Sequence, residues 1–131
     1  MHTLINLVPQ FNKHLAAISD RVVSNQLKEV KMNKIADLKE KAKAGWASFV
    51  SFEALTSTAA PKLVQFAGVS KGMKLLDVAC GTGVVALTAS RQGAEVEGVD
   101  LTPELISRAI ENSKIMGLQA KFVEGDAEFL P

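Results

Sequence analysis

The feature that most constrains how this chain can fold is a glycine-containing turn placed directly after an apolar run. Met73-Lys74-Leu75-Leu76-Asp77-Val78-Ala79 reads as a buried strand that enters Cys80-Gly81-Thr82-Gly83, and Val84 to Gln92 then reads as a helix ended by Gly93. The same alternation follows. Glu95 to Asp100 is a second strand; Thr102 can cap and Pro103 can occupy the first turn of a helix that reaches Met116 and stops at Gly117. Lys121-Phe122-Val123-Glu124 is a third short strand, and Gly125-Asp126 leads into a last stub. Strands alternating with helices give βαβαβ, which requires crossover connections and a parallel sheet. The fold class is therefore α/β, with one half of a doubly wound, Rossmann-like unit.

The preceding residues have a different texture. Between Phe11 and Lys43 there is neither glycine nor proline, and Phe11, Leu15, Ile18 and Val22 recur at helical spacing. Leu27, Val30, Ile35, Leu38 and Ala42 continue the apolar set with a shifted phase, which predicts a break between about residues 23 and 33 and two helices. Gly45 interrupts the pattern before Trp46, Phe49 and Phe52, and Pro61 suits the first turn of a short helix to Ala67 that Gly68 ends. The reading divides the chain into a helical arm or lid over 1–70 and a cofactor-binding half-domain over 71–131. Met32 offers a second starting point, which would leave residues 1–31 as an extension.

An apolar fraction of 47% with 22% charged residues excludes disordered and collagen-like classes. Residues 1–62 carry nine Lys/Arg against five Asp/Glu, and residues 63–131 six against nine. A basic helical arm laid against an acidic cofactor domain, a weak nucleic-acid patch and a solvated helix face all fit this split, with nucleic acid the least expected. The single cysteine, Cys80, excludes an intrachain disulfide and fits a reducing compartment. With no apolar run long enough to span a membrane and no signal-peptide pattern at the start, the expected location is the cytoplasm. No metal-ligand spacing occurs, and His2 and His14 are remote from the turn.

Gly81 and Gly83 let the backbone turn sharply and approach a ligand. Asp100 ends the next strand, where a carboxylate can accept hydrogen bonds from both hydroxyls of a ribose. Taken singly, these residues also fit an unliganded tight turn and a solvated acid before a helix. Gly81-Thr82-Gly83-Val84-Val85-Ala86 further satisfies the G-x-G-x-x-A dinucleotide fingerprint, so NAD competes for the site. Against NAD stand the position of the turn well into the chain and Asp77, whose carboxylate suits a cationic ligand and would repel a pyrophosphate. Gly125-Asp126-Ala127 adds a carboxylate and a backbone N–H suited to an adenine edge.

The ordered series Leu75-Leu76-Asp77-Val78-Ala79-Cys80-Gly81-Thr82-Gly83, Gly98-Val99-Asp100 and Glu124-Gly125-Asp126-Ala127-Glu128-Phe129-Leu130-Pro131 resembles the motifs of class I S-adenosylmethionine-dependent methyltransferases. The likeness covers about residues 42–131 and is nearest the branch typified by ubiquinone and menaquinone biosynthesis enzymes. It implies that Asp77 and the backbone of Ala79, Cys80, Gly81, Thr82 and Gly83 hold the methionine end of S-adenosylmethionine. Asp100 would take the ribose, Asp126 and Ala127 the adenine edge, and Leu101 the adenine face. Ala79 departs from the glycine common at that place.

Trp46, with Phe49 and Phe52, is a candidate to lay aromatic surface over a sulfonium, or else is plain core. Cys80 is expected to pack rather than react. Family members continue into a fourth strand and an acceptor pocket, so the expectation is a domain truncated before that strand, incomplete for catalysis by itself, whose complete form methylates a small molecule. A homodimer or a complementing chain would then cover the open edge. The alternatives are an interaction fragment without activity and an NAD-binding module.

Overall fold

A computed structural model describes residues 7–48 and 52–130. Phe49 and His2 lie outside the described residues. The chain divides into two compact units, Met1–Glu40 and Lys41–Pro131. The change in sequence texture near residue 70 falls inside the second.

Helix α1 runs over Leu7–Ala47 without interruption. The expected break between residues 23 and 33 is absent, because a shift in apolar phase does not by itself cost a backbone hydrogen bond. Only a residue that removes one, or that favours another conformation, breaks a helix. Gly45 stays within α1 as well. In the first unit Ile18, Val22, Leu27, Val30, Ile35 and Leu38 are all exposed.

The second unit begins with the last turns of α1. Helix α2 spans Glu53–Phe66, so it begins eight residues before Pro61, which lies inside it. An interior proline costs about 3 kcal/mol. Burial of Ala60 and Val64, each 1% exposed, offsets that loss, and Gly68 follows with φ +66°. Strand β1 is Lys74–Val78, α3 is Val84–Arg91, β2 is Glu95–Asp100, α4 is Pro103–Met116 and β3 is Ala120–Glu124. These match the expected βαβαβ alternation, with ends displaced by a residue or two.

The sheet is parallel, in the order β1-β2-β3, with Asp77 beside Gly98 and Asp100 beside Glu124. Ala86, Leu87 and Ala89 of α3 and Ile106 and Ala109 of α4 join Val96 and Phe122 of the sheet in one core. Both helices thus cover the same face, as successive crossovers in one direction demand. Val64 of α2 joins that core. On the opposite face, Lys121 Nζ meets Glu97 Oε1 at 2.7 Å across the β2–β3 register. Leu76 and Val78 of β1, an edge strand of the described sheet, are about half exposed.

Candidate functional site

The C-terminal ends of β1 and β2, the turns that follow them and residues of α1 and α2 line a cavity of about 470 Å³. That volume lies within the range of about 300–1,000 Å³ usual for small-molecule sites. Parallel α/β sheets place ligands at this edge because the strand-to-helix turns there are free to diverge.

The turn after β1 is built for close approach. Ala79 has φ +60°, Gly81 +55° and Gly83 +83°, so the chain passes three times through the left-handed region within five residues. A Cβ on Gly83 would lie 2.8 Å from the Phe122 ring. Gly83 is also the residue before α3, whose first turn it presents to the cavity. The N–H of Cys80 donates to Val99 C=O at 3.0 Å, which joins the start of the turn to β2.

Two carboxylates brace this turn. Asp77 Oδ2 accepts the Ala86 N–H at 3.0 Å and so satisfies a donor in the first turn of α3. Asp100 Oδ2 accepts the Gly81 N–H at 2.8 Å, and its Oδ1 accepts the Thr102 N–H at 2.8 Å. Asp100 therefore fixes both the glycine turn and the start of α4. Thr102 does not cap with its side chain; it is 2% exposed and offers its carbonyl to the N–H groups of Leu105 and Ile106.

Burial raises the Asp77 pKa above 3.8, the nearby Asp100 charge raises it further, and the Ala86 N–H opposes both. Cys80 is buried, and burial, followed by the charges of Asp77 and Asp100, pushes its thiol up to about 12. At neutral pH it is a thiol, unfit as a nucleophile.

Asp77, Ala79, Cys80, Gly81, Thr82, Asp100, Leu101 and Trp46 all line the cavity. Gly83 stands behind the wall, at the head of α3. Asp126 and Ala127 are not among the lining residues; Asp126 Oδ1 accepts the Glu128 N–H at 3.0 Å, forming the turn after β3. Trp46 is 55% exposed and shares the helical wall with Ala42, Phe52, Glu53 and Thr56. Lys43, one turn from Trp46, meets Glu124 at 3.3 Å and ties this end of α1 to the end of β3.

The sequence gives no sign that Glu53 and Leu105 line the site, and it marks Thr102 only as a helix cap. Thr102 and Leu105 follow from helix α4 beginning at the strand end. Glu53 carries no local signal, because its partners lie in α4: Arg108 Nε at 3.1 Å and Asn112 Nδ2 at 2.9 Å. Burial opposes ionisation of Glu53, but the hydrogen bonds from Asn112 and Arg108 outweigh it and hold the carboxyl below its ordinary value.

The described lining holds the carboxylates of Asp77, Asp100 and Glu53 and no Lys or Arg. Such a wall favours a ligand with positive charge and disfavours phosphate. The anion slot at the head of α3 is also occupied from within, since Asp77 already accepts the Ala86 N–H.

Residues 75–131 match the model of a family described as a methyltransferase domain. An uncharacterised protein of Mycobacterium tuberculosis is 42% identical over 71 residues, which are 54% of this chain and 26% of that protein. The release factor glutamine methyltransferase of Deinococcus radiodurans is 50% identical over 54 residues, 40% of this chain and 19% of the enzyme. Among solved structures, the PH0226 protein from Pyrococcus horikoshii superposes with a TM-score of 0.52 at 32% identity, covering 62% of this chain and 37% of that one. The chain spans about a quarter of the length of the Mycobacterium relative. The β1-to-β3 segment thus shares a Rossmann-like α/β fold with a solved protein and sequence similarity with a methyltransferase-domain family.

Proposed function

We propose that this chain is the S-adenosylmethionine-binding portion of a class I methyltransferase that acts on a small molecule in the cytoplasm, of the ubiquinone and menaquinone biosynthesis type. The observation that carries the cofactor assignment is the Asp77–Ala86 hydrogen bond of 3.0 Å. It supports that reading because a carboxylate at the head of α3 would repel a pyrophosphate and adds to an acidic wall suited to a cationic amino-acid end. The family match over residues 75–131 points the same way. No described helix is long and apolar enough to cross a membrane.

On this reading Asp77 and the Ala79–Gly83 backbone hold the methionine end, Asp100 takes the ribose and Leu101 packs on the adenine. Asp126 and the Ala127 N–H meet the adenine edge from the turn after β3. Trp46, on the helical wall, covers the sulfonium. When bound, S-adenosylmethionine supplies a methyl group that leaves with its bond electrons retained on sulfur and is captured by a lone pair of the acceptor. The chain's own contribution is alignment and exclusion of water. Calorimetric titration of the chain should show saturable binding of S-adenosylmethionine and none of NAD. Binding of NAD alone would reverse the assignment.

Asp77 supplies a second test, because its two roles have opposite signs for stability and binding. Its native pKa is raised, so the native state holds the proton more tightly and stability falls as pH rises from 3.8 through the native value. Asp77→Asn keeps an acceptor for the Ala86 N–H and removes the buried charge. Its melting temperature is expected to exceed that of the parent at pH 7, with the difference shrinking to nothing near pH 4. Affinity for S-adenosylmethionine should fall about tenfold at pH 7 from loss of a charge-assisted contact. A variant that is less stable at pH 7 would contradict the burial argument.

A further inference from the structure

The helical wall of the cavity brings an acid to the site that neither the glycine turn nor the strand ends supply. Glu53, in the first turn of α2, lines the cavity with its side chain 26% exposed. Its Oε1 accepts from Arg108 Nε at 3.1 Å and from Asn112 Nδ2 at 2.9 Å. The same Asn112 Nδ2 donates to the Thr82 carbonyl at 3.1 Å, so the carboxylate is held in fixed relation to the middle of the glycine turn.

Arg108 compensates this charge only in part. Its Nη1 also meets Glu111 Oε2 at 2.9 Å, so a single guanidinium serves two carboxylates, and Arg108 is absent from the described lining. The side chain of Arg108 is 36% exposed and its charge is screened by water, whereas Glu53 lines the cavity.

The three acids of the wall differ in what else they do. Asp77 and Asp100 hold backbone N–H groups of α3, the glycine turn and the start of α4. Glu53 accepts only from side chains in the hydrogen bonds of this wall, and a glutamine of the same shape can still accept from Asn112 and Arg108. Its charge is therefore separable from the shape of the site.

We propose, resting on the cofactor assignment above, that Glu53 is a specificity-determining residue by which the site distinguishes S-adenosylmethionine from the neutral thioether left after methyl transfer. The two ligands share the adenosine, the carboxylate and the ammonium. They differ by one methyl group and one positive charge, so a carboxylate fixed in the cavity wall favours the sulfonium and gives the thioether no matching attraction. The consequence is a site that loads the methyl donor and releases the spent product.

The test is calorimetric titration of the parent chain, Glu53→Gln and Arg108→Gln, each with S-adenosylmethionine and with S-adenosylhomocysteine. The readout is the ratio of the two dissociation constants, in which a general loosening of the wall cancels. In Glu53→Gln the preference for the sulfonium should fall by about three- to tenfold, as expected for one unit charge across a partly screened cavity. Affinity for the thioether should change little. Arg108→Gln frees the carboxylate from its counter-ion and should move the ratio the other way. An unmoved ratio in either variant, or loss of both ligands in Glu53→Gln, would make Glu53 a tether of α2 and overturn the proposal. Failure of the parent to bind either ligand would instead overturn the cofactor assignment itself.

Discussion

Asp100→Ala is expected to abolish measurable binding of S-adenosylmethionine and to destabilise the fold by about 3 kcal/mol, from one buried and one part-buried N–H donor left without an acceptor. The donors are those of Gly81 and Thr102, each 2.8 Å from a different carboxylate oxygen. Asp100 is 8% exposed, so water does not readily replace what is lost. Each carboxylate oxygen has a second lone-pair direction, which leaves capacity for a ribose diol after both backbone bonds are made. Removal thus takes away the ligand contact and the brace of the glycine turn together, and affinity should fall by at least about a hundredfold. Asp100→Asn should not rescue either property. One end of an amide is itself a donor, and both ends of this side chain already face N–H groups. Urea denaturation and titration on the same samples read the two effects. An asparagine variant with parental stability would show that one of the two backbone bonds is dispensable.

The strands and helices from residue 74 onward were legible because their signals are local: a period of apolar residues, a glycine where the chain turns, a proline at the head of α4. The place of Asp100 was legible for the same reason, as the end of a strand in register with a glycine pair. Its structural work was not, since the Gly81 N–H that it accepts lies 19 residues earlier and is brought near only by sheet formation. Glu53 is the extreme case. It reaches Arg108 across 55 residues and Asn112 across 59, and no spacing in the sequence announces such a pair. The error over α1 has a different origin. A phase shift in apolar residues predicts a break, but a stretch without glycine or proline from residue 11 to 43 keeps its helical backbone bonds whatever its faces meet. Pro61 suits a first-turn position and so predicts too late a start for α2, whereas tertiary packing of Ala60 and Val64 carries the helix through it.

Gly83→Ala is expected to be the most damaging single methyl group in the turn, and comparison with Gly81→Ala separates the reasons. Both glycines have positive φ, +55° at Gly81 and +83° at Gly83, so each alanine pays about 1–2 kcal/mol of backbone strain. At Gly81 a new Cβ meets nothing within 4 Å, and strain is the whole structural cost. At Gly83 the Cβ would sit 2.8 Å from Phe122 Cζ and 3.2 Å from Ala109 Cβ. Phe122 is 8% exposed and Ala109 fully buried within the core, so neither can withdraw without opening a void. Overpacking of this kind adds about 1–3 kcal/mol. Gly83→Ala should therefore lose about 2–5 kcal/mol. Its excess over Gly81→Ala measures how tightly the head of α3 is wedged against β3. Binding should divide the two variants differently. Gly81 lines the cavity, so its alanine projects toward the ligand and weakens affinity in a chain that remains folded. Gly83→Ala acts through the fold, and its loss of binding should track its loss of stability, recovering at lower temperature. Equal stability of the two variants would mean that Phe122 has room to turn and that the turn is held by its backbone bonds alone.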